Sequence, residues 1–178
     1  MPDQTTNPGR WFDRRFELGL KADAMTDLLD RLRQTPERIR HALDELPPET
    51  LTRRHGDKWS ILENVGHLLD LEPLWDRRLD DYEAGVEVLH PADLENRKTH
   101  EANHNARAIE ELLAEFAAVR DRIVDRLSKM SAADVVRTGL HPRLRQPMTV
   151  VDLCYFVAEH DEHHLRTIEE LKADPPVR

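Results

Sequence analysis

The sequence predicts an all-α protein built as a four-helix bundle, and three observations predict it. Leu, Ala, Glu, Arg and Asp dominate the 178 residues while glycine occurs only six times, a composition that favours helix. Four stretches repeat apolar residues at helical spacing. No stretch alternates as a half-buried strand does, and neither an internal repeat nor a low-complexity segment interrupts the chain. The length fits one domain able to bury a sizeable core.

Residues 1–10, polar and with two prolines, are expected to form a flexible N-terminal arm, leaving 11–174 as the bundle domain. "WFDRRFELGL" is too short for a main helix; Trp11, Phe12 and Phe16 predict an aromatic segment tucked against the bundle. The first helical region spans 24–46 on the stripe Leu28, Leu32, Ile39, Leu43 and Leu46, with a break or kink expected at Thr35-Pro36. The second helix opens at Ser60, whose partner Glu63 completes a capping box. Its stripe is Ile61, Val65, Leu68, Trp75 and Leu79, with a kink expected before Pro73. Residues 84–100 read as a long connection. The third helix is placed at 101–128 on Ile109, Leu112, Phe116, Ile123 and Leu127. "SAADVVRTGLHPRLRQP" reads as a loop lying over one end of the bundle. Thr149 and Asp152 make a second capping box, and the fourth helix runs from there to about Lys172.

The net charge of -9 and the lack of a basic face argue against nucleic acid and anionic membranes as partners. No apolar run approaches membrane-spanning length and the N-terminus has no hydrophobic signal core, so a cytoplasmic protein is expected. A single cysteine, Cys154, forms no internal disulfide and agrees with a reducing compartment.

The stretch "VAEHDEHHLRTIEEL" raises the functional question. On a helical projection Val157, His160, His164, Ile168 and Leu171 fall within about 60° of Leu153, whereas His163 lies roughly 80° away on the flank. His160 and His164 therefore point inward. Spacing i, i+4 sets two imidazoles on adjacent turns, close enough to grip one metal ion. Spacing alone leaves a second reading open, in which each histidine bonds a carbonyl or carboxylate across the bundle. His67, on the second helix at the edge of its apolar band, is the best candidate for a third ligand.

"KWSILENVGHLLDLEPLW" and, further on, "VAEHDEHHLRTI" resemble the DinB/YfiT-like superfamily of metalloenzymes, and the resemblance covers about Trp11 to Leu171. It implies a four-helix bundle of DinB/YfiT type in which one histidine of the second helix and an i, i+4 pair of the last helix bind a divalent metal. In this chain those positions are His67, His160 and His164. Thr167 departs from the pattern, since many relatives carry Gln there.

The resemblance implies a metal-dependent enzyme acting on a small-molecule substrate, either a hydrolase or a transferase that uses a low-molecular-weight thiol such as bacillithiol or mycothiol. The alternative is a non-catalytic metal-binding or stress-related bundle. Three imidazoles suit zinc first, with nickel or iron as alternatives, and three protein ligands leave a coordination position open for chemistry. A homodimer paired through helix faces is a further expectation from the resemblance. No general base is evident. Asp161, Asp70 and Asn64 are candidates to orient a ligand imidazole, each with a solvated helix face as the competing reading. His100 and His104 are placed near the pocket mouth or on the surface. Cys154 reads as a small buried residue, and Trp11, Trp59 and Trp75 as packing residues.

Overall fold

The computed structural model describes residues 11–173. In chain order these residues form α1 (Met25–Ala42), α2 (Pro48–Thr52), α3 (Ile61–Ala84), α4 (Arg97–Glu101), α5 (Ile109–Ser128), α6 (Ala132–Val135), the strands β1 (Thr138–Leu140) and β2 (Pro147–Thr149), and α7 (Val150–Ala173). The long helices α1, α3, α5 and α7 make the four-helix bundle expected from their apolar stripes. The expected N-terminal arm lies outside the described residues.

Both capping boxes form. Ser60 and Glu63 cap α3 reciprocally, as Thr149 and Asp152 do at the start of α7. The aromatic segment docks as expected, with Phe16 buried and the Trp11 and Phe16 rings 5.2 and 4.9 Å from Phe156.

The helix order around the bundle is not sequential. α1 packs against α5 and α7, and α3 packs against the same two, so α1 and α3 stand at opposite corners. The pairs Arg31–Glu159, Thr35–Asp161 and Arg38–Glu162 advance together along α1 and α7, which therefore run parallel. Glu72–Arg120 and Asp80–Arg126 show the same for α3 and α5. Parallel neighbours oblige the chain to travel back along the bundle between them, and residues 85–108 make that return. The returning segment is pinned to the hairpin through hydrogen bonds from Leu89 N to Leu140 O and from Leu140 N to Glu87 O.

A polar layer divides the core. Thr35, Glu72, Arg120 and Asp161, one from each long helix, are all buried, and on every helix they fall between members of two apolar clusters. Arg120 bonds both Glu72 oxygens and both Asp161 oxygens, with Nη2–Oε1 at 2.6 Å and Nη1–Oδ2 at 2.5 Å. Thr35 Oγ1 donates to Asp161 at 2.8 Å.

Three expectations need correction. α1 continues through Pro36 rather than breaking there. Proline lacks the N–H that would bond Leu32 O, and Arg120 Nη1 supplies that bond at 3.1 Å instead. The third long helix starts at Ile109, not 101. Asn96 and Asn103 take left-handed backbone angles that separate α4 and a 3₁₀ turn at His104–Ala106 from α5. The loop before α7 contains α6 and an antiparallel hairpin, whose three-residue strands are too short to leave a period in the sequence.

Candidate metal centre

α3 and α7 pack side by side, and their facing sides carry His67, His160 and His164. One ring nitrogen from each lies within 4.8 Å of the others, and all three side chains are buried. Among the described residues no other such group of potential metal-binding side chains occurs.

Hydrogen bonds behind two of the rings fix which nitrogen faces inward. The Asn64 amide nitrogen donates to Ser60 O at 2.8 Å, so its oxygen faces His164 Nδ1, also at 2.8 Å, and accepts from it. His164 Nε2 is thereby left with its lone pair. Thr99 Oγ1 donates to Asp70 Oδ2 at 2.9 Å, which makes the same oxygen the acceptor for His67 Nδ1 at 3.1 Å. His67 Nε2 is likewise left bare. Asp70 also takes a bond from His104 Nε2 at 2.8 Å. Burial pushes the Asp70 carboxyl up, but His104, Thr99 and the Lys98 charge outweigh it and hold the group ionised below its ordinary range.

His160 Nε2 sits 3.3 Å from His164 Nε2. His160 Nδ1 is buried with no described partner, and its ring is walled by Trp11 at 4.9 Å and Trp75 at 6.2 Å. Burial lowers His67 to about 4 and takes His160 and His164 well below the ordinary histidine value, so all three are neutral at pH 7. Neutral imidazoles with inward lone pairs and outward N–H bonds are the donor set a first-row divalent cation takes. The residues present fit such an ion.

A cavity of about 210 Å³ opens beside the three histidines. Trp11, Phe12, Trp59, Leu71, Trp75 and Phe156 give it apolar walls, and residues 91–94 of the returning segment line it as well. His163 also lines it and is half-buried, with burial lowering its pKa. Arg78, His141 and Arg143 line it too.

The candidates of the sequence divide. Asn64 touches a histidine of the triad directly, and Asp70 reaches one through Thr99. Asp161 does not: its carboxylate is committed to Arg120 and Thr35 in the polar layer. His104 is buried rather than superficial, held where Gly66 leaves room, whereas His100 is exposed with its ring 5.6 Å from Trp59. Trp59 does more than pack, since its ring lies 4.7 Å from His67 and walls the cavity. Cys154 is buried as expected, and burial pushes its thiol up to about 12. Thr167 donates to His163 O on its own helix. Thr99, Arg78, His141 and Arg143 went unrecognised in the sequence, because nothing local marks a threonine of a five-residue helix, a turn histidine or an arginine as inward-facing.

The sequence profile of the DinB superfamily matches residues 31–168. Among solved structures, YfiT from Bacillus subtilis, described as a probable metal-dependent hydrolase with an unusual four-helix bundle topology, superposes with a TM-score of 0.72 at 17% identity, over 89% of this chain and 91% of that one. A protein from Streptococcus pneumoniae superposes with a TM-score of 0.64 at 15% identity, over 89% and 92% of the two chains. No curated protein matches the chain in sequence.

Proposed function

Because this chain belongs to the DinB superfamily, we propose that it is a metal-dependent enzyme acting on a small molecule, with His67, His160 and His164 as the ligands of one divalent ion and hydrolysis as the reaction. The observation that carries the reading is the convergence of three buried, neutral imidazoles, two of them with their outer nitrogens tied back, at the wall of a substrate-sized cavity. A purely structural ion would be closed off by a fourth protein ligand; here the described ligand group has three members and a cavity beside it. The description of YfiT as a probable metal-dependent hydrolase supports the same reading.

A bound divalent ion supplies Lewis acidity, making an oxygen or thiol ligand more acidic and more reactive. The chain's own residues do the rest. Asn64 and Thr99 hold two rings in the right tautomer. Trp11, Trp59 and Trp75 give the cavity apolar walls against which a substrate body can lie. In this reading His163, half-buried at the cavity with burial lowering its pKa, serves as the proton acceptor.

One observation favours a second reaction class. Asp93 is the only carboxylate among the described cavity-lining residues, and it lies at the exposed rim. Addition of a small thiol to an electrophile, for which a bound ion would lower the thiol's pKa, would ask less of a general base than hydrolysis does.

The test is metal content by mass spectrometry on untagged protein beside His160→Ala and His164→Ala. We expect about one divalent ion per chain in the parent and loss in both variants. A parent that takes up no ion, with variants equally stable, overturns the reading. Loaded protein is then screened for hydrolysis and thiol transfer side by side.

A further inference from the structure

Besides His160 Nδ1, three buried donors at the cavity lack partners among the described residues: Arg78 Nη1, His141 Nε2 and Arg143 Nη2. Arg78 lies about three turns beyond His67 on α3. Its guanidinium sits 5.5 Å from the Trp75 ring, which in turn faces His160. His141 and Arg143 come from the turn between β1 and β2. Tyr82 anchors that hairpin by donating to Met148 O and Thr149 O, at 3.0 and 3.2 Å. His141 stands 5.1 Å from Phe156, and the Arg143 guanidinium lies 6.0 Å from the same ring.

Structural duty does not use up these groups. Arg78 Nε donates to His90 O at 3.0 Å and so helps to hold the returning segment, but Nη1 remains over. The neighbouring Asp81 is engaged elsewhere, accepting from His90 N at 2.6 Å. His141 Nδ1 accepts from Leu144 N at 3.1 Å, which leaves the proton on Nε2 as a donor. Asp93, the one carboxylate of the lining, takes the backbone N–H groups of Glu95 and Arg97 and the Arg97 side chain. Neither Arg78 nor Arg143 has an ion-pair partner among the described residues. Burial lowers Arg78 to about 10, so it stays cationic at neutral pH. An arginine that is 1% exposed and without an ion-pair partner among the described residues is costly to fold, and the nearby Asp81 charge offsets only part of the cost of burial. The cost is relieved when an anion enters.

We propose that Arg78, His141 and Arg143 form an oxyanion-binding subsite, so that the substrate is a small organic acid with an apolar body. The carboxylate or similar oxyanion sits at this end, the aromatic walls cover the body, and the reacting group reaches the histidine centre. The inference rests on the proposed function for the role of that centre, but the subsite itself is made by arginine and histidine donors alone. A cavity of about 150 Å³ already admits a benzene ring, so the volume here suits an aryl or short alkyl acid.

The experiment compares phenylacetate with its uncharged analogue phenylacetamide by calorimetry, on metal-loaded and on chelator-stripped full-length protein. We expect the acid to bind at least about tenfold more tightly than the amide in both forms. Arg143→Gln, at a partly exposed position, should cut the preference below about threefold without changing metal content or the circular dichroism spectrum. Arg78→Gln should do the same if it folds; if it does not, Arg143→Gln decides. Equal affinities, no binding of either probe at millimolar concentration, or a preference that survives Arg143→Gln overturns the proposal. So does a preference seen only with metal present, because the ion then holds the carboxylate. If the chain takes up no ion, the stripped protein still tests the subsite, and the two readings fail separately.

Discussion

Asn64 and His164 are 100 positions apart in the chain and 2.8 Å apart at Oδ1 and Nδ1. Thr99 stands to His67 as Asn64 stands to His164, though it comes from the short α4 rather than a core helix. Both backing groups accept from Nδ1 and leave Nε2 bare, the atom the proposed function assigns to an ion. Asn64→Ala and Thr99→Val should therefore each weaken metal affinity by about 10- to 100-fold. Competition against a chromophoric chelator reads the change. An unchanged affinity in both variants would show that the rings are oriented by packing alone.

Gly66 is the point where α3 and the His104 turn touch. A Cβ built there would lie 2.2 Å from the His104 ring. Gly→Ala inside a helix normally stabilises by about 1 kcal/mol. Here Gly66→Ala should instead destabilise, by about 1–3 kcal/mol as overpacked cores do. Displacing His104 also loosens Asp70 and Thr99, so metal affinity should fall with stability. Urea unfolding checks the sign.

Arg120→Met leaves Glu72 and Asp161 buried without their common partner. The expected loss is about 3–5 kcal/mol at neutral pH. It should shrink in acid, where Glu72, whose carboxyl burial pushes up, readily takes a proton. Denaturation at both pH values measures it.

Metal-free protein should lose stability as the pH falls. His67 titrates at about 4 in the fold against an ordinary 6.5. Between those values the unfolded chain binds a proton that the folded chain refuses, so stability rises with pH. It is complete above about 6.5 and ebbs toward 4, by about 3 kcal/mol for His67 alone. His160 and His164 act with the same sign. The urea midpoint of chelator-treated protein, followed from about pH 7.5 down to about pH 5, should fall. A flat profile would count against three buried neutral imidazoles.

The bundle was legible because its signals are local. Apolar stripes repeat within one helix, and each capping box needs only four consecutive residues, as at Ser60 to Glu63 and Thr149 to Asp152. The pair His160 and His164 was legible for the same reason, being one helical turn apart. Asp161 misled because its position on the flank of the stripe suits a ligand-orienting role and a layer residue equally. Its partner Arg120 is 41 positions away, and no periodicity within α7 encodes that pairing. Arg78 reads as one more solvated charge in "WDRRLDDY", and its burial depends on residues far away in the chain, among them His90 of the returning segment and Arg143 of the hairpin turn.

That return has a consequence for how such a protein can change over time. The bundle needs a long span between α3 and α5 because those helices run parallel, and apart from Leu89, Thr99 and His104, which are held in specific contacts, it asks little of what the span contains. Doubling the length of a flexible connection adds only about 0.6 kcal/mol of closure entropy. Yet this same span lines the cavity. Insertions and substitutions in it can reshape what the cavity admits while the four helices and their histidines stay as they are. In this architecture the frame that holds the histidines and the wall that shapes the space beside them come from separate stretches of chain, so one can be altered with the other kept.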